Sequence, residues 1–172
     1  MSTSSSISCR LAVVLSLLAL TSAAAATLPP ASPETAAKFL TAVNNVRRQA
    51  NAPPVSWDAT VAERARQRAD WVRWKCDLAQ KDKDPGGDTG GPKSYFLKGG
   101  GGGRVAPVVD AVGAWAGERR WYDAGNRACV PGKQCGDYMF MVDPKSRQLG
   151  CAVAPCAASG KTIVVCEYYP WS

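Results

Sequence analysis

Hydrophobic and polar positions alternate with three different periods along the chain. The first patterned segment is LAVVLSLLALTSAAAA (Leu11–Ala26), sixteen residues without a charge, preceded by Arg10 and ending in small residues. That order is the pattern of a secretory signal peptide, residues 1–26, cleaved after Ala26. The run is shorter than the ~20 residues a spanning helix needs. A stiff Pro-rich lead-in follows over 27–31. Ser32 can then cap a helix with Pro33 at its first position and Glu34 at the positive end of its dipole. Phe39, Val43, Val46 and Ala50 recur at helical spacing until Pro53-Pro54 breaks the pattern. Asp58 caps a second helix, ATVAERARQRADWVRW (Ala59–Trp74). Its stripe of Val61, Ala65, Ala69 and Val72 is set to be buried, with Arg64, Arg66, Arg68 and Arg73 solvated.

Between Cys76 and Pro107 the period is lost. A Gly-rich loop at about 85–104 is expected to be flexible and on the surface. Its five glycines, Gly99–Gly103, are not a phosphate loop, because no Gly-Lys-Ser/Thr follows. Helical period returns in VVDAVGAWAGERRWY, with Val108, Ala111 or Val112, and Trp115 on one face. Pro131-Gly132 turns the chain between Cys129 and Cys135. Three strand-like runs close the sequence: DYMFMV, QLGCAVAPC and KTIVVCEYY. In the first, Tyr138, Phe140 and Val142 alternate with Met139 and Met141, as in a sheet covered on both faces. Helices first and strands last describe an α+β domain with helices packed on a sheet.

Composition narrows the class. Removing residues 1–26 leaves 146 of the 172 residues, enough for one domain with its own core. It leaves six cysteines and a formal net charge of +6. Six cysteines in a secreted chain imply three disulfides, for which fifteen connectivities exist. The basic balance favours anionic surfaces such as acidic polysaccharide or phospholipid. Nucleic acid is not an expected partner, because the basic residues are scattered and the chain is exported. No Asn-x-Ser/Thr occurs, and the chain contains no histidine.

Several segments, in order, resemble the CAP superfamily of cysteine-rich secretory, antigen 5 and pathogenesis-related class 1 proteins, in its plant version. FLTAVNNVRRQA is similar to the family's first helix and PPVSWDATVAERARQRADW to its second. DAVGAWAGERRWYDAGNRACVPGKQCGDY is similar to its third segment, and RQLGCAVAPC and IVVCEYYP to its last two strands. The resemblance spans Ser32 to Pro170 and implies a CAP domain over 32–172, folded as a three-layer α-β-α sandwich. It also implies the pairings Cys76–Cys156, Cys129–Cys135 and Cys151–Cys166, each contributing about 2–4 kcal/mol.

The family carries a cleft of two histidines and two acidic residues that binds a divalent metal in several members. Here Val43 stands at the first histidine, before Asn44, and Tyr95 at the first glutamate, within GPKSYF. Asp137 stands at the second histidine, after Cys-Gly, and only the second glutamate persists, as Glu118. A zinc site needs three or four converging ligands, so neither a metal nor another cofactor is expected. The family's Gln-Val-Val-Trp is replaced by Phe140-Met141-Val142-Asp143, which makes this wall greasier. The peptide-signal tail of many plant members is not matched beyond Pro170–Ser172, so that role is not expected.

The resemblance implies a defence-type protein, secreted to the extracellular space (the apoplast, if the source is a plant), with sterol or another lipid as its ligand. Candidate lipid contacts are Tyr95, Phe96, Phe140, Met141 and Trp115, since apolar residues with few polar groups make a lipid pocket. The competing reading is that these residues fill the emptied cleft as core. A second function is an extracellular protein-interaction module: a ligand, inhibitor or effector target. Catalysis is not expected, because without histidine or free cysteine no nucleophile–base pair is evident. The chain is expected to act as a monomer.

Overall fold

The computed structural model describes residues 27–78, 92–99, 107–157 and 159–170. The expected signal peptide, most of the Gly-rich loop and the last two residues lie outside them.

Helix α1 is Pro33–Gln49, and Ser32 Oγ accepts the Thr35 N–H at 3.2 Å. After the short strand β1, Ser56–Trp57, Asp58 Oδ1 accepts the Val61 N–H at 2.9 Å and starts α2, Ala59–Val72. Strand β2 is Lys93–Lys98 and α3 is Pro107–Gly117, prolonged by a 3-10 turn, Glu118–Trp121. A small hairpin of β3, Tyr122–Asp123, and β4, Ala128–Cys129, precedes α4, Gly136–Val142. Strands β5, Gln148–Pro155, and β6, Thr162–Tyr169, end the fold.

The main sheet has the order β1-β5-β6-β2, with β1 parallel to β5 and the other neighbours antiparallel. Alternation along β5 and β6 sends side chains to two cores. Ala152, Ala154, Ile163 and Val165 meet Ala65, Ala69 and Val72 of α2. On the other face Leu149, Cys151, Val164, Cys166 and Tyr168 meet Phe39, Val43, Trp115, Tyr138 and Met141. The result is the α-β-α sandwich that the resemblance implied. All three implied disulfides are present: Cys76–Cys156, Cys129–Cys135 and Cys151–Cys166.

Three local expectations are corrected. DYMFMV is helix α4, not a strand. A short apolar run satisfies both periods, and Tyr138, Met141 and Val142, the i, i+3, i+4 set, are the buried ones. The Cys129–Cys135 bond fixes where this helix begins, and Pro144 follows just past its end. Within the expected loop, residues 93–98 form β2, which pairs along its full length with β6. Six residues between glycines carry too little period to be seen alone. The arginines of α2 are not free in solvent either. Arg68 is buried, and Arg64, Arg66 and Arg73 are half-buried against Glu167, Glu63 and Asp70.

Small residues bring α2 down onto the sheet. The closest approach is at Gly150, where an added Cβ would lie 2.0 Å from the Ala62 backbone nitrogen. Gly150→Ala is therefore expected to lower stability by about 3 kcal/mol, the upper range for overpacking. Gly113→Ala, on an open face of α3 with nothing within 4 Å, should instead add about 0.5–1 kcal/mol. Urea midpoints of the two variants, read against the parent, check both signs.

Candidate functional site

The four positions that the sequence resemblance assigns to a cleft do not come together as one set. Val43 is fully buried on α1 among Phe39, Trp115 and Met141. Tyr95 packs on the opposite face of the sheet, with the α2 cluster. Its carbonyl accepts the Trp115 indole N–H at 3.1 Å, which ties α3 to β2. Glu118 opens the 3-10 turn, and its Oε2 accepts the Tyr138 N–H at 3.1 Å, supplying an acceptor at the start of α4. Asp137 sits beside it in the first turn of that helix. Among the described residues no three His, Cys, Asp or Glu side chains group as a metal site.

Behind α4 lies a buried polar cluster. Arg47, fully buried, donates from Nε to Pro53 O at 2.6 Å, from Nη1 to Met141 O at 2.7 Å and from Nη2 to Ser146 O at 3.1 Å. Burial lowers its pKa, though a guanidinium stays charged at any physiological pH. Tyr168, also fully buried, has its phenol pushed far up, chiefly by loss of water and further by the charge of Asp137. Ser94 and Arg47 pull it back only in part. The Ser94 hydroxyl is near enough to act on the phenol, yet neither oxygen finds a partner of hydrogen-bond geometry.

The candidate lipid contacts separate into three groups. Trp115 and Met141 are buried core. Phe96 of β2 and Phe140 of α4 are half-buried and pack on that core from elements that touch each other. Tyr95 lies on the far face.

Sequence reasoning did not find the open cleft of about 460 Å³ where the end of α1 faces the β3–β4 hairpin and α4. Gln49, Asn51, Arg119, Tyr122, Arg127 and Tyr138 are among its lining residues. The Tyr122 and Tyr138 rings meet edge to face at 5.4 Å. The Tyr122 phenol is raised above its ordinary value, mainly by burial. The hairpin that presents Arg127 is held by Asp123, which accepts from the Gly125 N–H at 2.9 Å and the Asn126 side-chain amide at 2.7 Å. A second hollow, of about 240 Å³ and mostly apolar, lies at the end of α2 beside Trp71, Val72, Trp74 and Lys75. There the Arg73 guanidinium sits 4.8 Å from the Trp74 ring centroid.

Comparison with known proteins places this geometry. The model of the CAP, or cysteine-rich secretory protein, family matches residues 40–168. The maize (Zea mays) pathogenesis-related protein PRMS is 30% identical over 161 residues, 94% of this chain and 91% of that protein. Pathogenesis-related protein 1A1 of Solanum lycopersicum is 34% identical over 135 residues, 77% of this chain and 69% of that protein. Among solved structures, the hookworm platelet inhibitor shares the fold with a TM-score of 0.60 at 20% identity, over 84% of this chain and 73% of its own.

Two predictions follow from the cluster around α4. Glu118→Ala removes the acceptor for the Tyr138 N–H and should cost about 1 kcal/mol of stability. Glu118→Gln keeps an oxygen there and should cost less than half as much, as read from denaturation midpoints. The raised pKa of Tyr168 means that its contribution is intact below the unfolded value of about 10 and is lost as pH climbs toward the folded value. Tyr122 adds a component of the same sign. The parent should lose stability on going from about pH 9 to pH 11, across that ordinary value. Tyr168→Phe should flatten the loss while changing neutral-pH stability little, since the hydroxyl it removes is unpartnered.

Proposed function

We propose the following from the premise that this chain belongs to the CAP, or cysteine-rich secretory protein, family and is one of its pathogenesis-related, defence-type members. The protein acts outside the cell, without catalysis, by binding a sterol or another lipid. Secretion is supported by the signal-like residues 1–26 and by three disulfides, which persist in oxidising compartments. The non-catalytic reading is supported by the total lack of histidine and by the pairing of six of the seven cysteines, the seventh being Cys9 in the leader.

One observation carries the lipid reading. Phe96 and Phe140 are only partly buried where they pack on the core cluster that holds Met141 and Trp115, from β2 and α4, which touch each other and form an apolar seam. An apolar seam of this kind gains from contact with a hydrocarbon ligand in proportion to the area it removes from water. A second reading, an extracellular protein-interaction module, is favoured by the other face of the molecule. Trp74 is 52% exposed there, beside Trp71, Arg73 and Lys75, and Trp and Arg dominate the energetics of protein interfaces.

Labelled sterol should bind the folded, oxidised protein (residues 27–172) saturably, at micromolar concentration or below. Unlabelled sterol or fatty acid should compete for it. Phe140→Ser should weaken binding by about tenfold, the equivalent of ~1.4 kcal/mol, and Trp74→Ala should leave it unchanged. Failure of the parent protein to bind overturns the lipid reading and leaves the interaction module.

A further inference from the structure

The open cleft between the end of α1, the β3–β4 hairpin and α4 has a chemistry unlike that of the apolar seam. No carboxylate lines it, whereas two guanidinium groups do, those of Arg119 and Arg127. Neither is paired with a carboxylate among the described residues. The acids nearest in sequence have partners of their own, while the charges of Asp143 and Asp123 still reach Tyr122 in the wall. Glu118 holds the Tyr138 N–H, Asp123 closes its own hairpin and Asp143 Oδ1 accepts the Lys145 N–H at 2.9 Å. Two arginines without a carboxylate partner, in a concavity with no acid among its lining residues, favour an anionic occupant, which they can grip in bidentate fashion.

The remaining lining narrows the class. Tyr122 and Tyr138 set two aromatic rings in the wall. The half-buried Tyr122 ring offers an apolar face for the C–H side of a pyranose and a phenolic oxygen for its hydroxyls, and the buried Tyr138 ring backs it edge to face. Gln49 and Asn51 add side-chain amides that donate and accept at once. Asn51 is held at φ 55, at the point where the chain leaves α1. A volume of about 460 Å³ lies within the ~300–1,000 Å³ of small-molecule sites. A sterol, with a single hydroxyl, would leave both guanidinium groups and both amides unmatched. An extended duplex or bilayer surface would meet a hollow where it needs a ridge.

We infer that this cleft binds an acidic oligosaccharide, a short run of uronic acid residues. Arg119 and Arg127 take the carboxylates, and Tyr122, held in place by the buried Tyr138, takes a sugar face. The site is separate from the Phe96–Phe140 seam, so the inference stands or falls independently of lipid binding.

The probe is a trimer of 1,4-linked galacturonic acid, titrated calorimetrically into the oxidised protein beside its methyl ester, which has the same rings without the charges. The free acid should bind, and the ester at least about tenfold more weakly, ~1.4 kcal/mol by the usual conversion. Arg119→Gln and Arg127→Gln should each reduce affinity by about tenfold, the same conversion applying. Tyr122→Phe should retain binding and Tyr122→Ala should lose most of it. Arg120→Gln and Lys133→Gln remove cations that lie over the Trp121 ring instead, and they should change nothing. Polyglutamate of equal charge tests simple attraction to a basic protein. Binding of polyglutamate as tightly as the trimer, or equal weakening by all four charge-removing variants, overturns the inference. So does a parent protein that binds sterol or keeps its native melting transition yet ignores the trimer.

Discussion

The far layer of this sandwich hangs on one buried guanidinium. Arg47 leaves the apolar face of α1 and donates to three carbonyls that belong to three different segments: Pro53 in the turn after α1, Met141 in α4 and Ser146 on the way into β5. Hydrogen bonds from a charged donor contribute about 1.5–3 kcal/mol each, and those to Met141 and Ser146 also satisfy carbonyls of buried residues. Because α4 has only seven residues, it cannot hold itself as an isolated helix. It is held at its carboxyl end by Arg47 and at its amino end by Glu118 and the Cys129–Cys135 bond. The seam with β2 and the tyrosine wall of the cleft both inherit their shape from that suspension.

Two of the positions that the sequence resemblance aligns with a family cleft serve packing and a backbone hydrogen bond. Val43 has joined the core, and Glu118 has become a backbone acceptor. Polar atoms remain beneath α4 in Tyr168 and Ser94, two buried hydroxyls without a hydrogen-bond partner.

Much of this was legible from the chain and some could not be. The stripes Val61–Ala65–Ala69–Val72 and Val108–Ala111–Val112–Trp115 are buried as their period implies. The caps Ser32 and Asp58 accept the N–H groups expected of them. Arg47 was missed although it falls four residues after Val43 on the same face. A charged residue reads as solvated until two of its three acceptors, nearly a hundred residues away, are known. The side taken by Tyr95 depends on strand parity against β6, fixed by the pairing Tyr95↔Val165, which no local pattern reveals. The cleft is assembled from residues near 50, 122 and 140 and has no period of its own.

Cys151 and Cys166 face each other directly across β5 and β6. In a hairpin without such a bond, the turn must select which residues pair, and its length and composition are constrained accordingly. Here the covalent rung performs that selection from inside the ladder, and Cys76–Cys156 anchors the outer end of β5 to the end of α2. The connection between Cys156 and Lys161 is thereby released from specifying alignment. Lengthening a loop costs only about 0.6 kcal/mol per doubling, so this hairpin tip is a tolerant point for insertion, where a label or a whole added segment can be carried without disturbing the sheet.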